Sequence, residues 1–75
     1  MSYEVETFDE QQVLAVLRES GKPMAWSRIV MAIREVPYAE VRIAQVRGVR
    51  DACRSLEAKG LALETSPLLW RAEAA

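Results

Sequence analysis

Hydrophobic and polar positions repeat with helical spacing in three stretches of the chain, and the third stretch is the clearest. Its apolar residues recur at intervals of three and four, the period at which one face of an α-helix repeats. They are Val46, Val49, Cys53 and Leu56. The pattern predicts an amphipathic helix over residues 44–59, with this stripe facing the core and Cys53 packed as a core thiol.

The bounds of this third helix follow from its ends. Val41 and Ile43 fall off the apolar stripe if the helix is extended backward, so we expect it to begin near residue 44. Lys59 suits the negative end of the helix dipole, and Gly60 is the residue that most easily takes the left-handed conformation that ends a helix.

The first helix is predicted over residues 7–20. Thr7 and Glu10 have the spacing of a reciprocal N-terminal cap, and Gly21 is placed to end the helix. Residues 1–6 are expected to form a flexible N-terminus, although their alternating pattern would also let them lie extended along a neighbouring element.

The second helix is predicted over residues 26–35. Pro37 ends it, because proline disfavours the helical conformation in the residue before it. Its apolar stripe consists of Trp26, Ile29, Val30 and Ile33. Trp26 is therefore read as a core residue rather than as a stacking platform for a base, and residues 24–25 could run extended beside a later strand.

Two short segments, 61–65 and 68–72, flank a turn signal at Ser66 and Pro67 and predict a β-hairpin over 61–72. The turn is expected at residues 66–68. The side chains expected to cover the helices are Leu61, Leu63 and Trp70, while Glu64 and Arg71 are expected to face water. The predicted fold is mainly α, with three helices and a small C-terminal hairpin in one domain of residues 1–75.

Length and composition argue against an enzyme. A chain of 75 residues buries only about 60% of its unfolded surface and has little room for a catalytic cavity beside a core. It has no histidine, one cysteine and no glycine-rich phosphate loop. We expect no catalytic residue, no metal site and no cofactor.

The expected location is the cytoplasm. No stretch approaches the length of apolar sequence that spans a membrane, and the acidic N-terminus lacks the layout of a signal peptide.

Charge is segregated along the chain, although the net charge is only −1. Residues 1–20 carry five acidic side chains against one arginine, whereas residues 21–59 carry eight basic side chains against four acidic ones. On the third helix, a second stripe away from the apolar one is formed by Arg47, Arg50 and Arg54. Such a stripe meets either water or an anionic partner.

The order of elements resembles the winged helix-turn-helix domain over residues 7–72. The segment Val49-Arg50-Asp51-Ala52-Cys53-Arg54-Ser55-Leu56-Glu57-Ala58-Lys59-Gly60-Leu61 is similar to the end of the recognition helix in bacterial and phage regulators of this family. Gly21-Lys22-Pro23-Met24 is similar to the family's first turn.

The resemblance implies a small transcriptional regulator that inserts its third helix into the major groove of double-stranded DNA. Arginine pairs bidentately with guanine and also binds phosphate, which makes the exposed arginines the candidate contacts. The candidate DNA-binding residues are Arg28, Arg42, Gln45, Arg47, Arg50, Arg54, Ser66 and Arg71. A DNA-binding chain would associate with the nucleoid.

Two alternatives stay open. Asp51 could accept a hydrogen bond from cytosine, or it could pair with Arg47 or Arg54 and weaken the contacts of these arginines with DNA. The domain could instead be a protein-interaction module that does not bind DNA, since fold does not dictate the partner and Met31 and Tyr38 could form an exposed apolar spot. Both functions could also coexist, with a homodimer or protein partner on the face away from the third helix.

Overall fold

The computed structural model describes residues 4–66 and 69–73. Within these ranges the chain forms three α-helices followed by a two-stranded antiparallel hairpin, which confirms the predicted fold class. The elements are α1 (Glu10–Ser20), α2 (Trp26–Arg34), a short 3-10 turn (Tyr38–Glu40), α3 (Ile43–Ala58), β1 (Ala62–Ser66) and β2 (Leu69–Ala72). No helix in the described ranges has both the length and the apolar character needed to cross a bilayer.

The first helix begins later than predicted, because Asp9 rather than Thr7 caps it. The Asp9 carboxylate accepts a hydrogen bond from the Gln11 backbone N–H at 2.8 Å, which satisfies a donor that the first turn leaves unpaired. At the other end Gly21 takes the left-handed conformation (φ 66°), as expected.

The ends of the other two helices lie within one residue of the predicted positions. Glu35 follows α2 with a left-handed φ of 55°. Helix α3 begins at Ile43, one residue earlier than expected, and Gly60 follows it with φ 75°.

The core lies where the three helices and the hairpin meet. Its buried members are Phe8, Val13, Leu14, Leu17, Ile29, Val30, Val49, Ala52, Cys53, Leu56, Ala62 and Trp70. Trp26 is half-buried and packs against this cluster, in keeping with its assignment to the core. Burial raises the pKa of the Cys53 thiol to about 12, so the thiol stays protonated and inert at neutral pH.

The hairpin differs from the prediction in which side chains face the helices. Glu64 pairs with Trp70 across the strands, so these two side chains share a face with Ala62, and Leu63 points to the other side. Trp70 is fully buried, whereas Leu63 is 39% exposed. The expectation that Leu63 covers the core was therefore wrong, because the position of Trp70 fixes the alternation of both strands.

The hairpin is tied to the start of α2 by a backbone bridge. Met24 N–H donates to Trp70 O at 2.6 Å, and Trp70 N–H donates to Met24 O at 2.9 Å. The predicted extended conformation beside a later strand is confirmed for Met24. The predicted turn at 66–68 falls largely on residues 67 and 68, which lie outside the described ranges, as do residues 1–3 and 74–75.

Candidate functional site

The solvent-facing side of α3 carries a row of four side chains, an isoleucine followed by three arginines. At about 100° per residue these four side chains fall within a sector of about 60°, and they span about 16 Å along the axis. They are Ile43, Arg47, Arg50 and Arg54, and we call this row the outward face of α3. It is the candidate functional site.

The outward face lies opposite the core more squarely than the sequence indicated. Gln45, Gly48 and Ala52 are buried, whereas Val46 is only partly buried. The buried side of α3 is therefore rotated toward Gly48 and Ala52. The arginine row thus lies on the side of α3 opposite its buried residues, and at its C-terminal end Arg54 reaches the hairpin.

Gln45 is not on this row, which corrects its predicted place among base-reading residues. It is 6% exposed, and its amide oxygen accepts a hydrogen bond from the Arg42 backbone N–H at 2.9 Å. This contact caps the first turn of α3, where backbone donors lack helical partners. Gln45 sets where the helix begins and does not project into solvent.

Two of the arginines contact acidic neighbours of the same chain. The Arg50 guanidinium donates to the Asp51 carboxylate at 3.2 Å. The Arg54 guanidinium lies 3.6 Å from the Glu57 carboxylate and 3.7 Å from that of Glu64. Asp51 thus pairs with Arg50, a partner that was not among those predicted for it.

These arginines are still accessible at the surface. Side-chain exposure is 35% for Arg50 and 51% for Arg54, whose guanidinium also lies 5.3 Å from the centroid of the Trp70 ring. Arg47 is half-buried and is also engaged within the chain. Exposed ion pairs of this kind contribute at most about 1 kcal/mol each, so a polyanion can compete for the arginines.

A second group of charged residues lies beside the start of α3, where residues 4–8 form an extended N-terminal arm. The Glu6 carboxylate accepts from Arg34 Nε at 2.7 Å and from Arg42 Nη2 at 3.1 Å. The Glu6 backbone N–H also donates to Ala44 O at 3.0 Å. The hydrogen bond from Arg34 is the main reason that the pKa of Glu6 lies below its usual value.

Gly48 makes room for the arm. A Cβ at this position would overlap the Glu6 carbonyl oxygen and would lie 2.9 Å from a ring carbon of Phe8. The arm is therefore held against α3 at Glu6 and Phe8, which agrees with the alternative that this segment lies along a neighbouring element and not with a flexible end. The signal that could have indicated this contact is a glycine in the middle of a helix, where close approach of another backbone is a common reason for it.

Arg42 contacts the arm through Glu6 and also borders an open groove of about 370 Å³ between α2, the 3-10 turn and α3. The other residues lining this groove are Ser27, Tyr38, Ala39, Val41, Ile43 and Val46. Tyr38 is 71% exposed and Ile43 is 64% exposed. Ile43 was not among the predicted contacts, because periodicity places an isoleucine off the apolar stripe outside the helix.

The remaining predicted contacts lie away from this groove. Arg28 is exposed and lines a different groove of about 300 Å³ with Met24, Met31, Ala32 and Val36. Met31 and Tyr38 therefore line separate grooves rather than one spot. On the hairpin, Ser66 is exposed and the Arg71 guanidinium lies 4.0 Å from the Glu73 carboxylate.

A comparison with known proteins found no matching family model, no similar curated protein and no similar solved structure.

Proposed function

We propose that this protein binds double-stranded DNA with the outward face of α3 in the major groove and acts as a small transcriptional regulator. The observation that carries the proposal is the row of Arg47, Arg50 and Arg54 on the side of α3 that the core leaves open. A helix fits the major groove, and guanidinium groups serve both guanine edges and phosphates. The arrangement of helices and hairpin resembles a winged helix, which supports the same use of α3.

Electrostatics supports the proposal if the intramolecular ion pairs exchange for phosphate contacts. Arg42 adds a fourth cation, with its side chain 67% exposed at the start of α3. Each pair that opens loses at most about 1 kcal/mol, whereas DNA binding gains from the release of condensed counterions. The pairs with Asp51, Glu57 and Glu64 would thus reduce affinity for DNA without abolishing it.

The test is DNA binding by the wild-type chain and by the triple variant Arg47→Ala, Arg50→Ala, Arg54→Ala, measured by fluorescence anisotropy on duplexes of random sequence. With about four phosphate contacts, the logarithm of the wild-type affinity should fall with the logarithm of salt concentration at a slope of about −3 to −4. The triple variant should bind at least about 100-fold more weakly.

A matched control removes positive charge elsewhere. Arg18 and Lys22 are exposed at the end of α1, so Arg18→Ala with Lys22→Ala should retain most of the affinity. Circular dichroism must show that all variants are folded. Equal binding by the triple variant and the wild type, or a salt slope near zero, would contradict the proposal.

A second candidate function is protein binding, favoured by the exposure of Tyr38 and Ile43 beside one groove. Both side chains border the same groove, so a protein segment that docked there would contact both. Absence of any gel shift at low salt, together with a stable complex that Tyr38→Ala disrupts, would favour this candidate over DNA.

A further inference from the structure

Ile43 is the apolar member of the outward face of α3, and its exposure calls for a reason. It is the first residue of the helix, and 64% of its surface is open to solvent although it lies in line with three arginines. We propose that Ile43 is a specificity residue that contacts the 5-methyl group of a thymine in the DNA site. This inference rests on the DNA-binding function proposed above.

The position of Ile43 along α3 is the first argument. The N-terminal residues of a helix docked in the major groove are those that usually reach the base edges. Among the four bases only thymine presents a methyl group in that groove, and an apolar side chain is its complement. An isoleucine at the leading end of an arginine row is therefore matched to a thymine rather than to a base with only polar edges.

The surroundings of Ile43 are the second argument. Val46 and Tyr38 line the same groove as Ile43, so a methyl group bound in this groove would have further apolar side chains near it. Arg42 borders it as well, with its side chain 67% exposed. An apolar contact with a cation at its edge suits a thymine whose neighbouring phosphate binds Arg42 in exchange for Glu6, whereas an apolar protein segment would have to bury this ion pair.

The spacing along the helix sharpens the proposal. Arg47 follows Ile43 by one turn, a rise of about 6 Å, and base pairs are stacked about 3.4 Å apart. If Arg47 reads a guanine, this guanine should lie about two base pairs from the thymine that Ile43 contacts. The DNA site should thus contain a thymine and a guanine at this separation.

The experiment begins with selection of 20-base-pair sites from a randomised duplex library by the full-length chain. Affinity is then measured for a selected duplex and for copies in which one thymine at a time is replaced by deoxyuridine, which lacks only the methyl group. At one position this replacement should weaken wild-type binding about fourfold, the effect of burying one methyl group.

Two variants test whether Ile43 is the residue that causes the loss of affinity on deoxyuridine replacement. Ile43→Ala should bind the thymine and deoxyuridine duplexes equally while keeping the preference for guanine about two base pairs away. Val5→Ala is the control, since Val5 is also an exposed apolar residue, at 39%, but belongs to the N-terminal arm. It should retain both preferences.

The outcomes distinguish failure of the proposed role of Ile43 from failure of the proposed DNA binding. If selected DNA is bound equally well with every thymine replaced by deoxyuridine, the role of Ile43 is wrong and DNA binding stands. The same conclusion follows if Ile43→Ala keeps the thymine preference. If the library yields no bound sequence even at low salt, both the DNA-binding function and the role of Ile43 are wrong.

Discussion

The two sides of helix α3 differ in how strongly packing restricts which residues they can carry. On the side facing the N-terminal arm, Gly48 lies against Glu6 and Phe8 so closely that even a Cβ has no room. On the outward face, Arg50 and Arg54 form ion pairs in which the guanidinium side chains stay partly exposed, at 35% and 51%. The arm side is therefore constrained by packing, whereas the fold constrains the outward face less.

The largest expected effect is that of Gly48→Ala, which tests the arm side. Helix propensity alone would make this change stabilising, by about 0.5–1 kcal/mol. Because the new methyl group would overlap the Glu6 carbonyl oxygen, we expect a loss of about 2 kcal/mol instead. For a domain of this size the melting temperature should fall by roughly 10 °C, measured by circular dichroism. An unchanged or higher melting temperature would show that the arm does not pack against α3.

The next effect is electrostatic and depends on pH. The pKa of Glu6 is lowered in the folded chain, chiefly by the hydrogen bond from Arg34. Its contribution to stability is therefore fully present above the ordinary glutamate pKa of 4.5 and is lost as the pH falls through the lower, folded value. Glu6→Gln should cost about 1 kcal/mol at pH 7 and should weaken the decline in stability below pH 4.5.

Glu4→Gln is the matched control for this measurement, because Glu4 lies in the same arm and is exposed. Chemical denaturation of both variants between pH 3 and pH 7 makes the comparison. If Glu6→Gln and the wild type lose stability in parallel on acidification, the ion pairs of Glu6 do not hold the arm.

The smallest effect is expected on the outward face. Ile43→Ala should change the free energy of unfolding by less than about 0.5 kcal/mol, because most of the side chain is already exposed to water. The measurement is urea denaturation of this variant beside Gly48→Ala. A loss of more than about 1 kcal/mol would mean that Ile43 contributes to the fold and would remove the contrast between the two sides of α3.

Periodicity was sufficient to predict the helices and the hairpin, because each element carries its own apolar stripe or turn signal. It could not predict the contacts of residues 4–8, since the partners of Glu6 are 28 and 36 residues away in the chain. The prediction that Leu63 covers the core was wrong for a related reason. The face of β1 that meets the core depends on the register with Trp70, which neither strand encodes alone.

The candidate site was predicted in part. Arg47, Arg50 and Arg54 do share one exposed side of α3, as their spacing indicates. Gln45 was misplaced because the residue pattern does not distinguish an amide that caps a helix from one that projects into solvent. Ile43 was passed over because an exposed apolar residue has no periodic signature.

The buried thiol gives the molecule a built-in chemical reporter. Cys53 is the only cysteine in the sequence, it is fully buried, and its raised pKa keeps it from attacking alkylating reagents while the fold is closed. Alkylation must then wait for an opening event, so its rate follows how often the bundle separates. The alkylation rate of Cys53 thus measures opening of the bundle without an added dye or an engineered label.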